Sequence, residues 1–323
     1  MQRIALAAFV LVATSLAALA QGAWPQKPIT FVVSNGAGSA PDVFARMLAA
    51  KLEPILGQSI VIETRPGGGN VIGATNVARA PADGYRIYFA TSSALTANPF
   101  LMKNLPYHPV KDFDPVAFLV RASNFILVHK DVPAKSLAEL IAHDKQKPGD
   151  YSIAIDGVRN LAGVTARALN QRAGTKFVYV TYPNIVNGVQ DLVAGRLQSG
   201  VFPVAITEAF VREGTLRALA STGLNRTSTF PQVPAASETW SDFDFNGWFA
   251  LMAPKGTPAD IVKKLNEATA QAMRDPQIRE TAPKIGLDLD PAGVGTPESV
   301  AAFIQKQLAS WAKTTKELGI EPE

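Results

Sequence analysis

The stretch Ile29-Thr30-Phe31-Val32-Val33-Ser34-Asn35-Gly36-Ala37-Gly38-Ser39-Ala40-Pro41-Asp42-Val43-Phe44 decides the fold class. Its first five residues are apolar or β-branched without alternation, the pattern of a strand buried on both faces. A loop of small and polar residues follows. From Pro41 to Leu56 the residues Phe44, Leu48, Leu52 and Ile55 recur every three or four positions and so share one face of a helix. Ile60–Glu63 then reads as a second strand, Arg65-Pro66-Gly67-Gly68-Gly69 opens a short helix to about Arg79, and Tyr85–Ala90 reads as a third strand. A β-α-β-α-β series predicts a mostly parallel sheet with helices on both faces.

A second series begins near Asn124. Phe125–Val128 reads as a strand, and Ser136 with Glu139 forms a capping box for a helix ending near Lys145. Tyr151–Ile155 is a strand, Leu161–Ala173 a helix and Lys176–Thr181 a strand. Asn187 and Gln190 form an N-cap pair for a helix to Gly195. A short helix to Glu213 and the strand Leu216–Ser221 complete this half. Gly247–Ala253 reads as a further strand, and two long helices close the chain, each opened by a Thr-Pro pair at Thr257-Pro258 and Thr296-Pro297. Two α/β halves allow a cleft between them, a common place for a small ligand.

Composition narrows the function. The chain has 323 residues, 47% of them hydrophobic, enough for two domains with real cores and too apolar for global disorder. With no cysteine, disulfides, thiolate zinc sites, iron–sulfur clusters and a cysteine nucleophile are excluded. The net charge of +4 is small and no basic run is present, which argues against nucleic acid as a partner. Arg3, the uncharged stretch Ile4–Ala20 and its Ala18-Leu19-Ala20 ending read as a signal peptide over residues 1–20, which predicts export to the periplasm. The alternative, a membrane anchor, would barely reach the length that spans a bilayer.

Catalytic signatures are mostly missing. His108, His129 and His143 have no metal-ligand spacing, and neither a G-x-S-x-G elbow nor a phosphate-binding G-x-x-x-x-G-K is present. Gly36-Ala37-Gly38 begins like a dinucleotide fingerprint, but Pro41 occupies the third glycine position. No cofactor, metal or catalytic residue is therefore expected. Three loops at strand-to-helix junctions are more informative: Ser34–Ser39, Thr91-Ser92-Ser93 and Asp156-Gly157-Val158-Arg159-Asn160. Each alone also reads as an ordinary turn. Together, beside helix N-termini whose N–H groups favour negative charge, they point to a carboxylate site.

Several short motifs carry a family resemblance. These are Trp24-Pro25-Gln26-Lys27-Pro28-Ile29, then Gly38, Asp42, Ala45 and Arg46, then Arg65-Pro66-Gly67-Gly68-Gly69 through Gly73-Ala74. Asp83-Gly84-Tyr85, Asn98-Pro99, Leu105-Pro106-Tyr107-His108-Pro109-Val110-Lys111-Asp112-Phe113 and Val233-Pro234 follow in order. In this order they resemble the Bug-type (TctC-type) receptors of tripartite tricarboxylate transporters, over essentially the whole chain after the leader. The resemblance implies an α/β, two-lobed type II periplasmic-binding-protein fold with an interdomain ligand cleft. It implies one discontinuous lobe from residues 21–122 plus 246–323 and another from 123–245. It also implies a monomer that captures a small organic carboxylate for membrane permease subunits.

Carried over by position, the first-lobe site residues are Ser34, Asn35, Ala37, Gly38, Asp42, Thr91, Ser92 and Ser93, with Asp42 favoured as a helix cap over a ligand contact. The second lobe offers Asp156, Arg159, Asn160, Tyr182, Asn184 and Phe202. Here the chain departs from the family. Ser34-Asn35 replaces a common Pro-Phe, Asp156–Asn160 shortens a Ser/Gly-rich stretch, and Phe202-Pro203 replaces Asp-Asn. Losing an aromatic wall at Asn35 and gaining one at Phe202 suggests a reshaped pocket, with an aromatic mono- or dicarboxylate as an option. Arg159 offers a bidentate carboxylate partner. A ligand sensor signalling to a membrane kinase, and more remotely an exported hydrolase, are the competing readings.

Overall fold

A computed structural model describes residues 24–182 and 184–323. The signal-peptide reading of residues 1–20 lies outside the described residues, as does Pro183 within the expected second-lobe loop. The strands form two mixed sheets. In the first, β1 (Ile29–Val33) lies parallel between β2 (Ile60–Thr64) and β3 (Arg86–Thr91). Antiparallel to β3 runs β10 (Gly247–Pro254), which also pairs with β4 (Phe113–Ala122), and β11 (Asp288–Leu289) edges β4. In the second sheet β6 (Ser152–Ile155) lies parallel between β7 (Val178–Thr181) and β8 (Ser199–Pro203). There β5 (Asn124–His129) runs antiparallel between β8 and β9 (Leu216–Ser221).

Both sheets follow one plan: three parallel strands, then an antiparallel strand inserted from elsewhere in the chain. The chain passes from the first sheet to the second at Ser123 and returns between Ser221 and Gly247. Each sheet is covered on both faces, as the unalternating strand sequences require. On one face of the first sheet, Phe44, Leu48 and Leu52 of helix Ala40–Leu56 pack with Ile29, Phe31 and Val33 of β1, all fully buried.

Most expected elements are present, with shifted ends. Helix Ile185–Val193 starts earlier than expected: its cap is Asn184, whose Oδ1 accepts the Val186 N–H at 3.1 Å, and Asn187 lies inside it. The helix after β10 starts at Ala259 with Pro258 in the cap position, because the Thr257 hydroxyl donates instead to Pro254 O at 2.7 Å. Ser136 caps its helix as expected, while Glu139 reaches the Lys135 N–H at 2.7 Å, one residue before the cap. Strand β4 was hidden by Pro115. The pairing with β10 shifts register there, with Pro115 opposite Met252 and Ala117 opposite Leu251, the irregularity at which a strand tolerates proline. Helix Pro276–Lys284 and β11 were not anticipated.

The closing helix Pro297–Glu317 does more than return to the first sheet. Val300 and Ile304 pack with Tyr88, Phe118 and Trp248, whereas Trp311 joins the second sheet's core beside Ile153, Leu169 and Phe243. Gln307 Nε2 donates to Asp244 at 3.0 Å and Lys313 pairs with Asp242 at 3.3 Å. One helix therefore spans both halves.

Candidate functional site

The ends of β1, β3 and β6 open on two adjoining cavities, of about 330 Å³ and about 510 Å³. They share Asn70, Ser92, Ser93, Asp156 and Leu161, so they are compartments of one cleft. Walls come from both sheets and from the Ser123 crossing between them. Both volumes suit a small organic molecule.

The first-sheet wall is built on a buried polar strut. Ser34 follows β1, and its Oγ shares a 2.8 Å hydrogen bond with the Tyr88 hydroxyl and reaches Asn70 O at 3.4 Å. Burial pushes the Tyr88 phenol up to about 12, so it stays neutral. Asn70 itself holds a left-handed backbone (φ 75°) at the start of helix Val71–Ala78. The Asn98 amide donates to Gly69 O at 2.8 Å and fixes the glycine turn before it. Thr91 Oγ1 accepts the Ala94 N–H at 3.2 Å and shapes the turn that presents Ser92 and Ser93 to both compartments.

Asp42 acts inside the first loop. It accepts the Gly38 N–H at 2.8 Å and pairs with Arg46 at 3.0 Å. Burial raises its pKa, but the Arg46 and Gly38 hydrogen bonds outweigh this and hold it below the usual carboxylate range. Of that loop only Asn35 lines the cleft, together with Ala40 and Pro41 at the helix start. Its Oδ1 is enclosed without a hydrogen-bond partner. Ser34 is buried behind the wall, and Ala37 and Gly38 face solvent.

From the second sheet, Asp156, Arg159 and Asn160 reach the cleft. Their loop folds tightly onto helix Leu161–Ala173: a Cβ on Gly163 would stand 2.0 Å from Gly157 O. Asn160 Nδ2 donates to Asp156 O at 3.1 Å. Burial pushes the Asp156 carboxyl up to about 6, against the pull of nearby N–H groups of Asp156 itself, Asn160 and Ala162. Arg159 Nη2 pairs with Glu323 at 2.8 Å, while its Nη1 is enclosed without a partner.

Of the expected second-lobe positions, three stand apart from the cleft. Phe202 is fully buried in the core beneath the second sheet, its ring against Gly188 and Gly200, so it supplies no new aromatic wall. Alternation along β8 turns that side chain to the face where Val189 and Leu192 of helix Ile185–Val193 pack. The Tyr182 ring lies over Gly188 and its hydroxyl donates to Asp191 at 2.8 Å, which draws it to helix Ile185–Val193. The Asn184 side chain is used by its cap.

Other residues complete the walls: Asn70, Asn98, Ser123, Asn124, Asn246 and Glu323. The glycine-rich turn before Asn70 was a visible signal. Ser123 and Asn124 sit where the chain changes sheets, and Glu323 arrives from the far end of the sequence; neither carries a local signature. The long helices Ala40–Leu56 and Leu161–Ala173 both begin at the cleft, and neither Ser39 nor Asn160 caps its helix through a side chain. First-turn N–H groups and helix dipoles of this kind favour negative charge, and they stand here at a mostly uncharged cleft.

Comparison with known proteins agrees with this architecture. Residues 44–320 match the family model described as the tripartite tricarboxylate transporter family receptor. A UPF0065 protein of Bordetella bronchiseptica is 32% identical over 320 residues, covering 99% of this chain and 94% of the relative. A Rhodopseudomonas palustris protein solved with adipate superposes with a TM-score of 0.79 at 28% identity, covering 93% of this chain and 100% of that one. MatC from the same organism, solved with bound malate, gives 0.73 at 28% identity, covering 90% and 99%. The periplasmic binding protein BugD superposes with a TM-score of 0.76 at 29% identity, covering 93% of this chain and 100% of that one. The two-sheet α/β architecture is thus a periplasmic-binding-protein fold, and the chain belongs to the tripartite tricarboxylate transporter receptor family.

Proposed function

We propose that this chain is a periplasmic solute receptor that captures a small organic carboxylate between two lobes, residues 21–122 with 246–323 and residues 123–245. It would hand the ligand to the membrane permease subunits of a tripartite tricarboxylate-type transporter. The observation that carries this reading is the convergence on one cleft of two long-helix N-termini whose cap residues make no side-chain bond, the Ser92-Ser93 turn and the unpartnered Nη1 of Arg159. Backbone N–H groups would hold a carboxylate, and contacts from both lobes would exist together only in the closed form, which the ligand therefore favours. Similarity to proteins solved with adipate and malate supports a carboxylate. The residues assigned to contact are Asn35, Ser92, Ser93, Asp156, Arg159 and Asn160. Ser34, Thr91 and Asp42 would shape the loops behind them. No bond of the ligand changes.

A thermal-shift screen of aliphatic and aromatic carboxylates tests this. A ligand present at 100 times its Kd should add about 2.7 kcal/mol to the native state and raise Tm by several degrees. Arg159→Ala should weaken binding about tenfold or more, as loss of a charge-assisted hydrogen bond does. A Tm that no carboxylate moves sinks the proposal.

A further inference from the structure

Resting on the carboxylate-receptor reading, we infer that the cleft selects a carboxylate carrying a protonated amine, with Asp156 as the acceptor for the ammonium group and Arg159 Nη1 with the helix N–H groups for the carboxylate. The charges lining the cleft support this. Among the described residues, the only charged wall residue of the smaller compartment is Asp156. In the larger one the charged walls are Asp156, Arg159 and Glu323, and Glu323 already neutralises Arg159 at 2.8 Å. Neither compartment carries a surplus of positive side chains. Instead each contains an acid.

Two unsatisfied groups of opposite sign mark the polarity of the ligand. Asp156 Oδ1 and Arg159 Nη1 are both enclosed and lack hydrogen-bond partners, although they stand three residues apart in one loop. Arg159 already has Glu323 at Nη2, but an enclosed atom of a charged group left without a partner still costs desolvation, so Nη1 and Asp156 Oδ1 each favour a ligand group that completes them. An ammonium at Asp156 restores an ion pair out of water. A second carboxylate there would meet like charge unless Asp156 took up a proton. The shared wall residues Asn70, Ser92 and Ser93 offer neutral donors and acceptors to either end and leave this sign preference unchanged.

Matched ligands separate the alternatives: aspartate against succinate, glutamate against glutarate, and 6-aminohexanoate against adipate, by titration calorimetry at pH 8 with the full mature chain. At least one amino member should bind ten times more tightly than its partner, and Asp156→Asn should remove most of that advantage. On the unsubstituted protein, affinity for the amino member should rise between pH 5 and 7.5. Above about 6 the Asp156 carboxylate is ionised, with Arg159 and Glu323 the other charged groups at the cleft. This pH arm stands even if the variant fails to fold. Dicarboxylates binding as well as or better than their amino partners, or an amino member whose affinity ignores pH and Asp156→Asn, overturns the inference and leaves the receptor reading intact. No binding by any of the six overturns the inference, and only a Tm that no carboxylate moves overturns the receptor reading as well.

Discussion

Asp42 shows how a single carboxylate can shape the wall of a cleft that its own side chain does not line. It closes the first loop through the Gly38 N–H and Arg46, and the loop so shaped turns Asn35 towards the cleft. Asp42→Ala should cost about 1.5–3 kcal/mol in urea unfolding at pH 7, the range for a hydrogen bond to a charged group. The pH dependence follows from its pKa, which lies below 3.8 in the folded state. The ionised contacts therefore contribute fully above 3.8 and are lost as pH falls through the lower folded value. The gap between parent and variant should narrow in acid. A penalty unchanged down to pH 2 would assign the cost to packing instead. Ser34 is a comparable case: its side chain lies at the expected place in the sequence, but its hydrogen bonds point to Tyr88 and Asn70, behind the wall.

Two loop–helix junctions at the cleft are packed too closely for a side chain. At Gly163 an added Cβ would stand 2.0 Å from Gly157 O, and at Gly73 it would stand 2.4 Å from Ser34 Oγ. Gly163→Ala must push the Asp156–Asn160 loop away from helix Leu161–Ala173. The expected result is a loss of about 1–3 kcal/mol of stability, the usual cost of overpacking, with a larger relative loss of ligand affinity. Gly36→Ala, with nothing within 4 Å and no positive φ, should leave both nearly unchanged. Unfolding curves and calorimetric titration of the two variants would show whether loop placement controls binding. Equal affinities for parent and Gly163→Ala would refute it. Helix Leu161–Ala173 has the bounds its sequence predicts, because Asn160 and Gly174 mark its ends locally. The helix at Ile185 shifted because Asn184 and Asn187 are both competent caps, and only the chain path at Tyr182 selects the first.

Across the whole molecule, helix Pro297–Glu317 ties the two sheets together, with Ile304 in one core and Trp311 in the other. Trp311→Ala should cost about 3–5 kcal/mol, as large-to-small changes of buried aromatics do, and should split a single calorimetric transition into two. Lys313→Ala, which removes exposed pairs with Asp242 and Glu317, should change stability by less than about 1 kcal/mol. A single transition retained in Trp311→Ala would show that the lobes are coupled elsewhere. The sequence by itself determined the α/β class, the two β-α series, most helix faces and the loops that border the cleft. Those features follow from hydrophobic period and capping chemistry, which act over a few residues. It also carried the family motifs. Only the tertiary structure decided which loop side chains line the cleft, that Phe202 belongs to the core, that Pro115 lies within a strand and that Arg159 meets Glu323. Each of these depends on contacts between residues distant in the chain, where strand register and helix docking, rather than local pattern, set the direction in which a side chain points.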